Sequence, residues 1–140
     1  MNSFEELEVY KKARELKIKI SELVKHFPAE EKYRLVDQLI RASRSVTANI
    51  AEGFGRFHYQ ENIQFCRHSR GSLFEIIDHL ICSLDEKYIT NEQYLNLKND
   101  TLFVIKLLNG YILYLKNAKS KSISKNDNSE IDNNLITKLL

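Results

Sequence analysis

Tryptophan is absent from this chain, proline occurs once, and glycine only four times in 140 residues. So few breakers exclude a fold of many short strands and tight turns, and favour a small number of long helices. Cysteine occurs twice, too rarely for a disulfide scaffold. Cys66 and Cys82 fall in one expected helix, about 24 Å apart along its axis, beyond the reach of a disulfide. They read as reduced, half-buried thiols of a cytoplasmic protein. No apolar run is long enough to span a bilayer. The start, Met-Asn-Ser-Phe-Glu-Glu, has neither the basic beginning nor the apolar run of a signal peptide. Strong charge of one sign is missing too: the net charge is +2, too small to argue for nucleic acid by itself.

What is present is helical periodicity. Ser3 and Glu6 have capping-box spacing, so the first helix is expected to begin after Ser3. Val9, Ala13, Leu16, Ile20, Leu23 and Phe27 form its core stripe, and Pro28 ends it. A second helix is expected from about Ala29 to Glu52, with Leu35, Leu39, Ala42, Val46 and Asn49 at the same spacing and Gly53 and Gly55 as its stop. A third runs from about Tyr59 to Leu84, with Cys66, Leu73, Ile77, Leu80 and Leu84 as its stripe. Thr90 and Gln93 form a second capping box, with Ile89 stapled onto Tyr94. The fourth helix then carries Thr101, Val104, Leu108, Tyr111 and Leu115 to about Asn117. Short links make this an all-α, up-down-up-down four-helix bundle. Residues 1–117 form the bundle and 118–140 a disordered polar tail, rich in Ser, Asn, Lys and Asp. Its apolar end, Leu135 to Leu140, reads either as a docking segment or as a frayed end.

A polar seam interrupts the simple pattern. Gln38, Arg41, Ser45 and Asn49 share one side of the second helix, and His68, Ser72, Glu75, His79 and Cys82 one side of the third. If the two helices fold back about Arg56, Arg41 lies opposite Ser72 and Gln38 opposite Glu75. An Arg41–Glu75 pair is therefore expected, with Gly71 allowing close backbone approach. Asn49 and Glu52 are expected to organise the end of the second helix, and Ser72 and Glu75 to hold the seam.

These residues resemble a known family: the small four-helix bundle proteins encoded by intervening sequences of bacterial large-subunit ribosomal RNA genes. The accessory variability determinants of diversity-generating retroelements share that fold family. The resemblance runs from about Leu7 to Leu115. It rests on Phe27-Pro28 with Glu31 and Tyr33, on Leu35, Gln38 and Arg41-Ala42, and on Ser45 with Asn49-Ile50-Ala51-Glu52-Gly53. Arg70-Gly71-Ser72-Leu73 with Glu75 completes it. Thr47 stands where the family often has proline, so the second helix continues unkinked and any kink-dependent surface does not carry over. Ser69 stands where the family commonly has alanine. The resemblance implies a non-catalytic homo-oligomer, a pentamer in known members. It also implies possible partners: RNA or DNA, and a reverse transcriptase or another protein.

Three function classes are compared. The first is an oligomeric nucleic-acid-binding or accessory module. Six of the seven arginines lie between Arg34 and Arg70, where Asp37, Glu52 and Glu61 leave a local charge of +3. The candidate contacts are Arg44, Arg56, Arg67 and Arg70, with Lys11, Lys12 and Lys17 on the first helix. Phe54, Phe57 and Tyr59 around Arg56 either stack on unpaired bases or close the bundle end as a subunit contact. The second is a protein-interaction scaffold without nucleic acid, with Tyr111 and Tyr114 as anchors. The third, an enzyme, lacks support. No His has Glu three residues before it, as a diiron bundle needs, and no phosphate-binding loop is present. Glu75, His79 and Cys82 share a face without a partner set. Neither cofactor nor metal is expected.

Overall fold

A computed structural model of the protein describes the backbone of residues 3–139 and the side chains of residues 3–126. Four α-helices account for nearly all of it: α1 (Glu8–Val24), α2 (Leu35–Gly55), α3 (Tyr59–Asp85) and α4 (Asn91–Leu139). α2 packs on α3, α3 on α4, and α1 on both α2 and α4, with no diagonal packing among the described residues. This is the up-down-up-down bundle that short links dictate. Ile20, Leu39, Val46, Ile50, Ile63, Leu73, Ile76, Leu80, Val104 and Leu108 are fully buried between the helices. On α3 the core position belongs to Ile76, and Ile77 is only partly buried.

The first helix starts later than its capping-box spacing suggests. Ser3 Oγ accepts from the backbone N–H of Glu5 at 3.2 Å and caps a short 3-10 turn, Phe4–Glu6. Leu7 is extended, and α1 begins at Glu8. The link from α1 to α2 is likewise more elaborate. Pro28 is extended (φ −60°, ψ 148°) and opens a second 3-10 turn, Ala29–Glu31, so α2 begins at Leu35 rather than Ala29. Glu31 explains that start. Its carboxylate accepts from Leu35 N–H at 3.1 Å and from the Tyr88 hydroxyl at 3.1 Å. One side chain thus caps α2 and ties it to the α3–α4 turn. Phe27 closes the same end against Tyr88, their ring centroids 5.4 Å apart.

At the other end of α2 the glycines do not stop the helix, which runs through Gly53 to Gly55. Gly53 is instead a packing residue. A Cβ there would lie 2.8 Å from Asn62 Oδ1 and 2.9 Å from Phe65 Cβ. Gly71, expected to play this part, has open space around its Cβ direction. Close approach of α2 and α3 is therefore made at Gly53.

Helix four obeys its start signal. Thr90 N–H donates to Gln93 Oε1 at 2.9 Å and Gln93 N–H to Thr90 Oγ1 at 3.1 Å, the reciprocal pair of a capping box. Its end differs from expectation. The helical backbone continues past Asn117 to Leu139, because no Gly or Pro follows Gly110 to break it. What ends near Asn117 is the packing: Ala118 and Lys119 are half-buried and residues 120–126 exposed. The apolar end Leu135 to Leu140 lies outside the residues whose side chains are described. No helix among the described residues is long and apolar enough to cross a membrane.

Candidate nucleic-acid interface

The α2–α3 turn brings Phe54, Phe57 and Tyr59 together with Tyr111 and Tyr114 of α4. α2 ends at Gly55, Arg56 is still helical, and Phe57 turns the chain with φ 54°. That conformation favours glycine, and a β-carbon there costs about 1–2 kcal/mol. The Phe57 ring is left 88% exposed. Behind it Tyr10, Phe4, Phe54 and Phe57 form a chain of rings with centroids 4.9, 6.4 and 6.4 Å apart. Across from it Tyr111 and Tyr114 of α4 lie stacked, 6.2 Å apart and 14° from parallel. Between these groups is a cavity of about 580 Å³, walled also by His58, Tyr59 and Asn62. Sequence reading named Phe54, Phe57 and Tyr59 as one group and Tyr111 and Tyr114 as another; the fold brings both around one opening.

The cavity has a polar floor. Asn62 is buried and donates from Nδ2 to the Tyr111 hydroxyl at 3.1 Å, while its Oδ1 accepts from Cys66 Sγ at 3.6 Å. The Tyr111 oxygen therefore acts as acceptor and keeps its own proton for a second partner. Burial raises the Tyr111 pKa, partly offset by that hydrogen bond. Burial also pushes the Cys66 thiol up to about 12, whereas Cys82 is exposed.

The basic candidates do not form one patch. Arg56 is held by Glu52 at 2.9 Å and Glu61 at 3.9 Å, with its guanidinium 5.1 Å from the centre of the Phe65 ring. Lys11 pairs with Glu8 and Lys12 with Glu15. Lys17 is half-buried on α1 and Arg44 exposed on α2. Arg70 reaches across to α4 and donates to Asn109 Oδ1 at 2.9 Å, and Arg67, three residues earlier on the same flank, donates to Gln64 Oε1 at 3.2 Å. Among the described residues no carboxylate pairs with Arg44, Arg67, Arg70 or Lys17 within ion-pair distance.

The α2–α3 seam exists, one helical turn away from its expected register. Ser72 Oγ donates to Ser45 Oγ at 2.9 Å, and Ser69 Oγ to the Val46 carbonyl at 2.8 Å. Asn49 Nδ2 donates to the Ser45 carbonyl at 2.8 Å and to Ser45 Oγ at 3.0 Å. Ser45, not Arg41, therefore stands opposite Ser72. Arg41 turns outward to Asp37 of its own helix at 2.9 Å, so the Arg41–Glu75 pair does not form. Glu75 is exposed beside Gln38 and His79 at the edge of the seam. Glu52 pairs with Arg56 at the end of α2. Thr47, where proline would have removed a donor, is buried in an unbroken helix with its hydroxyl on the Arg44 carbonyl at 3.2 Å.

One signal was present in the sequence and missed. From Thr101 to Asn126 there is no Asp or Glu, against Lys106, Lys116, Lys119, Lys121 and Lys125. Reading residues from 118 on as a tail separated Lys119, Lys121 and Lys125 from the bundle. In the fold they continue α4 past Leu115 in the cavity wall, and Lys119 Nζ donates to Gln60 Oε1 at 2.7 Å, beside Tyr59. Among the described residues no group of three or more His, Cys, Asp or Glu side chains is placed to hold a metal ion.

This sequence matches the family described as 23S rRNA-intervening sequence protein over residues 5–110. No curated protein sequence matches it. Among solved structures, it is similar to a Bacteroides thetaiotaomicron VPI-5482 protein of unknown function from the S23 ribosomal protein family. The two are 28% identical, with a TM-score of 0.69 over 74% of this chain and 97% of that one. A match over most of the bundle, together with the shared fold, makes this chain a member of the 23S rRNA-intervening sequence protein family.

Proposed function

We propose that this protein is a non-catalytic, homo-oligomeric, cytoplasmic accessory module that binds nucleic acid, RNA or DNA. The observation that carries this reading is the uncompensated charge of the α3–α4 flank. Arg67 and Arg70 meet only neutral amides, and the neighbouring half of α4 carries lysines without a carboxylate. Guanidinium groups left in this state suit forked contacts with phosphate, whose released counterions drive association. Arg44 and Lys17 add charge elsewhere; Arg56, Lys11 and Lys12 are offset by their acidic neighbours.

The same flank supports the homo-oligomer. Phe74, Ile81, Leu95 and Leu102 are each at least 40% exposed on α3 and α4. Such a row is what subunit contacts cover. Light scattering on the purified protein tests this. Five copies are expected from the family resemblance, and Phe74→Glu with Leu102→Glu should shift the mass towards monomer.

Binding of labelled structured RNA and DNA across a salt series tests the nucleic-acid reading. A steep fall of affinity with salt is expected, with Arg67→Gln and Arg70→Gln each reducing the slope by about 0.7–0.9. No binding at low salt would overturn it. The exposed apolar row favours the second reading, a protein-interaction scaffold, in which a reverse transcriptase or another protein is the partner.

A further inference from the structure

The aromatic cavity at the bundle end is lined by neither Arg67 nor Arg70, and it shares only the lysines of α4 with the charge argument above. We propose that it takes one unpaired base of a single-stranded nucleic acid, whose phosphate backbone runs onto the lysines of α4 beyond Leu115. This rests on the nucleic-acid reading and names the form of the ligand.

Three features converge on this occupant. The first is aromatic surface displayed rather than stored. Phe57 is 88% exposed in a left-handed conformation, and Tyr114 is 63% exposed. A helix cap needs only a glycine here, so the ring serves something other than the turn. The second is shape and chemistry. A cavity of about 580 Å³ is within the usual range of about 300–1,000 Å³ for small-ligand sites. Its walls offer ring faces for stacking, and the Tyr111 hydroxyl keeps a proton for a base edge. The third is charge. Lys116, Lys119, Lys121 and Lys125 follow the cavity residue Leu115 along about 14 Å of helix with no acid among them. Lys119 meets the neutral Gln60 side chain, so its charge stays available at the rim. An apolar peptide would satisfy the rings and waste the lysines. A duplex would satisfy the lysines and keep its bases stacked away from the rings. A single strand uses both.

The test uses the full chain and a short fluorescent single-stranded RNA. An abasic strand of equal length and an RNA duplex serve as comparisons. Because the chain has no Trp, its emission comes from its seven tyrosines, and the part of the quenching lost in Tyr114→Ala reports stacking at the cavity. The single strand should bind more tightly than the abasic strand and quench tyrosine emission. Phe57→Ala or Tyr114→Ala should weaken it at least about fivefold without changing the salt slope. Lys119→Gln with Lys121→Gln should lower the slope by about 1.4. Both aromatic changes are at exposed rings, and unchanged helicity would confirm that the variants fold. Equal binding of abasic and normal strands, or full binding by both aromatic variants, would overturn the proposal. If Arg67→Gln alone then weakened binding, nucleic-acid binding would stand without this site. Absence of binding to every probe would overturn both readings.

Discussion

Replacing Gly53 and Gly71 by alanine, one at a time, separates two roles that the sequence presents identically. Both are glycines inside helices, and intrinsic propensity alone says that both changes stabilise by about 1 kcal/mol. The surroundings differ. At Gly71 a new methyl meets nothing within 4 Å, so Gly71→Ala should stabilise by about 0.5–1 kcal/mol. At Gly53 it would sit 2.8 Å from Asn62 Oδ1, 2.9 Å from Phe65 Cβ and 3.2 Å from the Asn62 carbonyl. The amide of Asn62 is held from both sides, by Tyr111 and Cys66. The Asn62 carbonyl belongs to the α3 backbone and Phe65 Cβ is fixed directly to it, so relief requires the two helices to part. Overpacking of this kind costs about 1–3 kcal/mol, against the propensity gain of about 1 kcal/mol. With the contacts so close, Gly53→Ala should destabilise by about 1–2 kcal/mol and lower Tm by about 3–8 °C. Urea unfolding followed by circular dichroism measures both variants with one slope. Stabilisation of both, or equal loss in both, would refute the packing role of Gly53.

Other outcomes follow from the seam and the buried groups. Ser72→Ala should cost about 1 kcal/mol in urea unfolding, since it removes one of the side-chain bonds between α2 and α3 while Ser45 keeps Asn49. Glu75→Ala, at an exposed position, should change stability by no more than about 0.5 kcal/mol; a larger loss would return Glu75 to the seam. A thiol reagent should modify Cys82 and spare Cys66 in the native protein, and modify both in denaturant. Alkaline stability has a definite sign. Cys66 is raised from 9.0 to about 12 by burial, and Tyr88 from 10.0 to about 12 by burial and its bond to Glu31. Above pH 9 the unfolded chain releases protons that the folded one retains, so stability falls as pH rises from about 9 to 12. A flat stability profile over that window would contradict the burial of Cys66.

The bundle was legible because its signals are local. Leu35, Leu39, Ala42 and Val46 repeat at helical spacing and are all buried, and Thr90 with Gln93 closes the capping box that their spacing announces. Contacts between helices were less so. Arg41 and Glu75 have complementary charge, but Asp37 lies four residues away on the same helix, nearer than any partner across the seam. Glu31 is also beyond local reading, since its partner Tyr88 comes from the α3–α4 turn, far along the chain. The lysines after Leu115 were visible in composition. Their low amphipathicity read as a tail, because a helix beyond the bundle needs no apolar stripe and leaves none to detect.

The register of the seam and the opening of the cavity have one cause. Sequence reading ended α2 near its glycines and reversed the chain about Arg56, which puts Arg41 opposite Ser72. Gly53 is consumed by packing against Asn62 and Phe65, so it cannot also serve as the stop, and α2 runs on to Gly55. The reversal then falls to Phe57, and its later centre brings Ser45 to Ser72 and Val46 to Ser69. A glycine at residue 57 would make that turn at lower cost. Phenylalanine makes it at the expense of strain and solvent exposure, and its ring stands at the mouth of the cavity. Phe57→Gly should therefore stabilise the bundle by relieving the left-handed conformation while weakening single-strand binding. Stability measured by urea and affinity measured on the same preparation should move in opposite directions. If the two fall together, Phe57 is a packing residue of the bundle end and the cavity has lost its claim to a ligand.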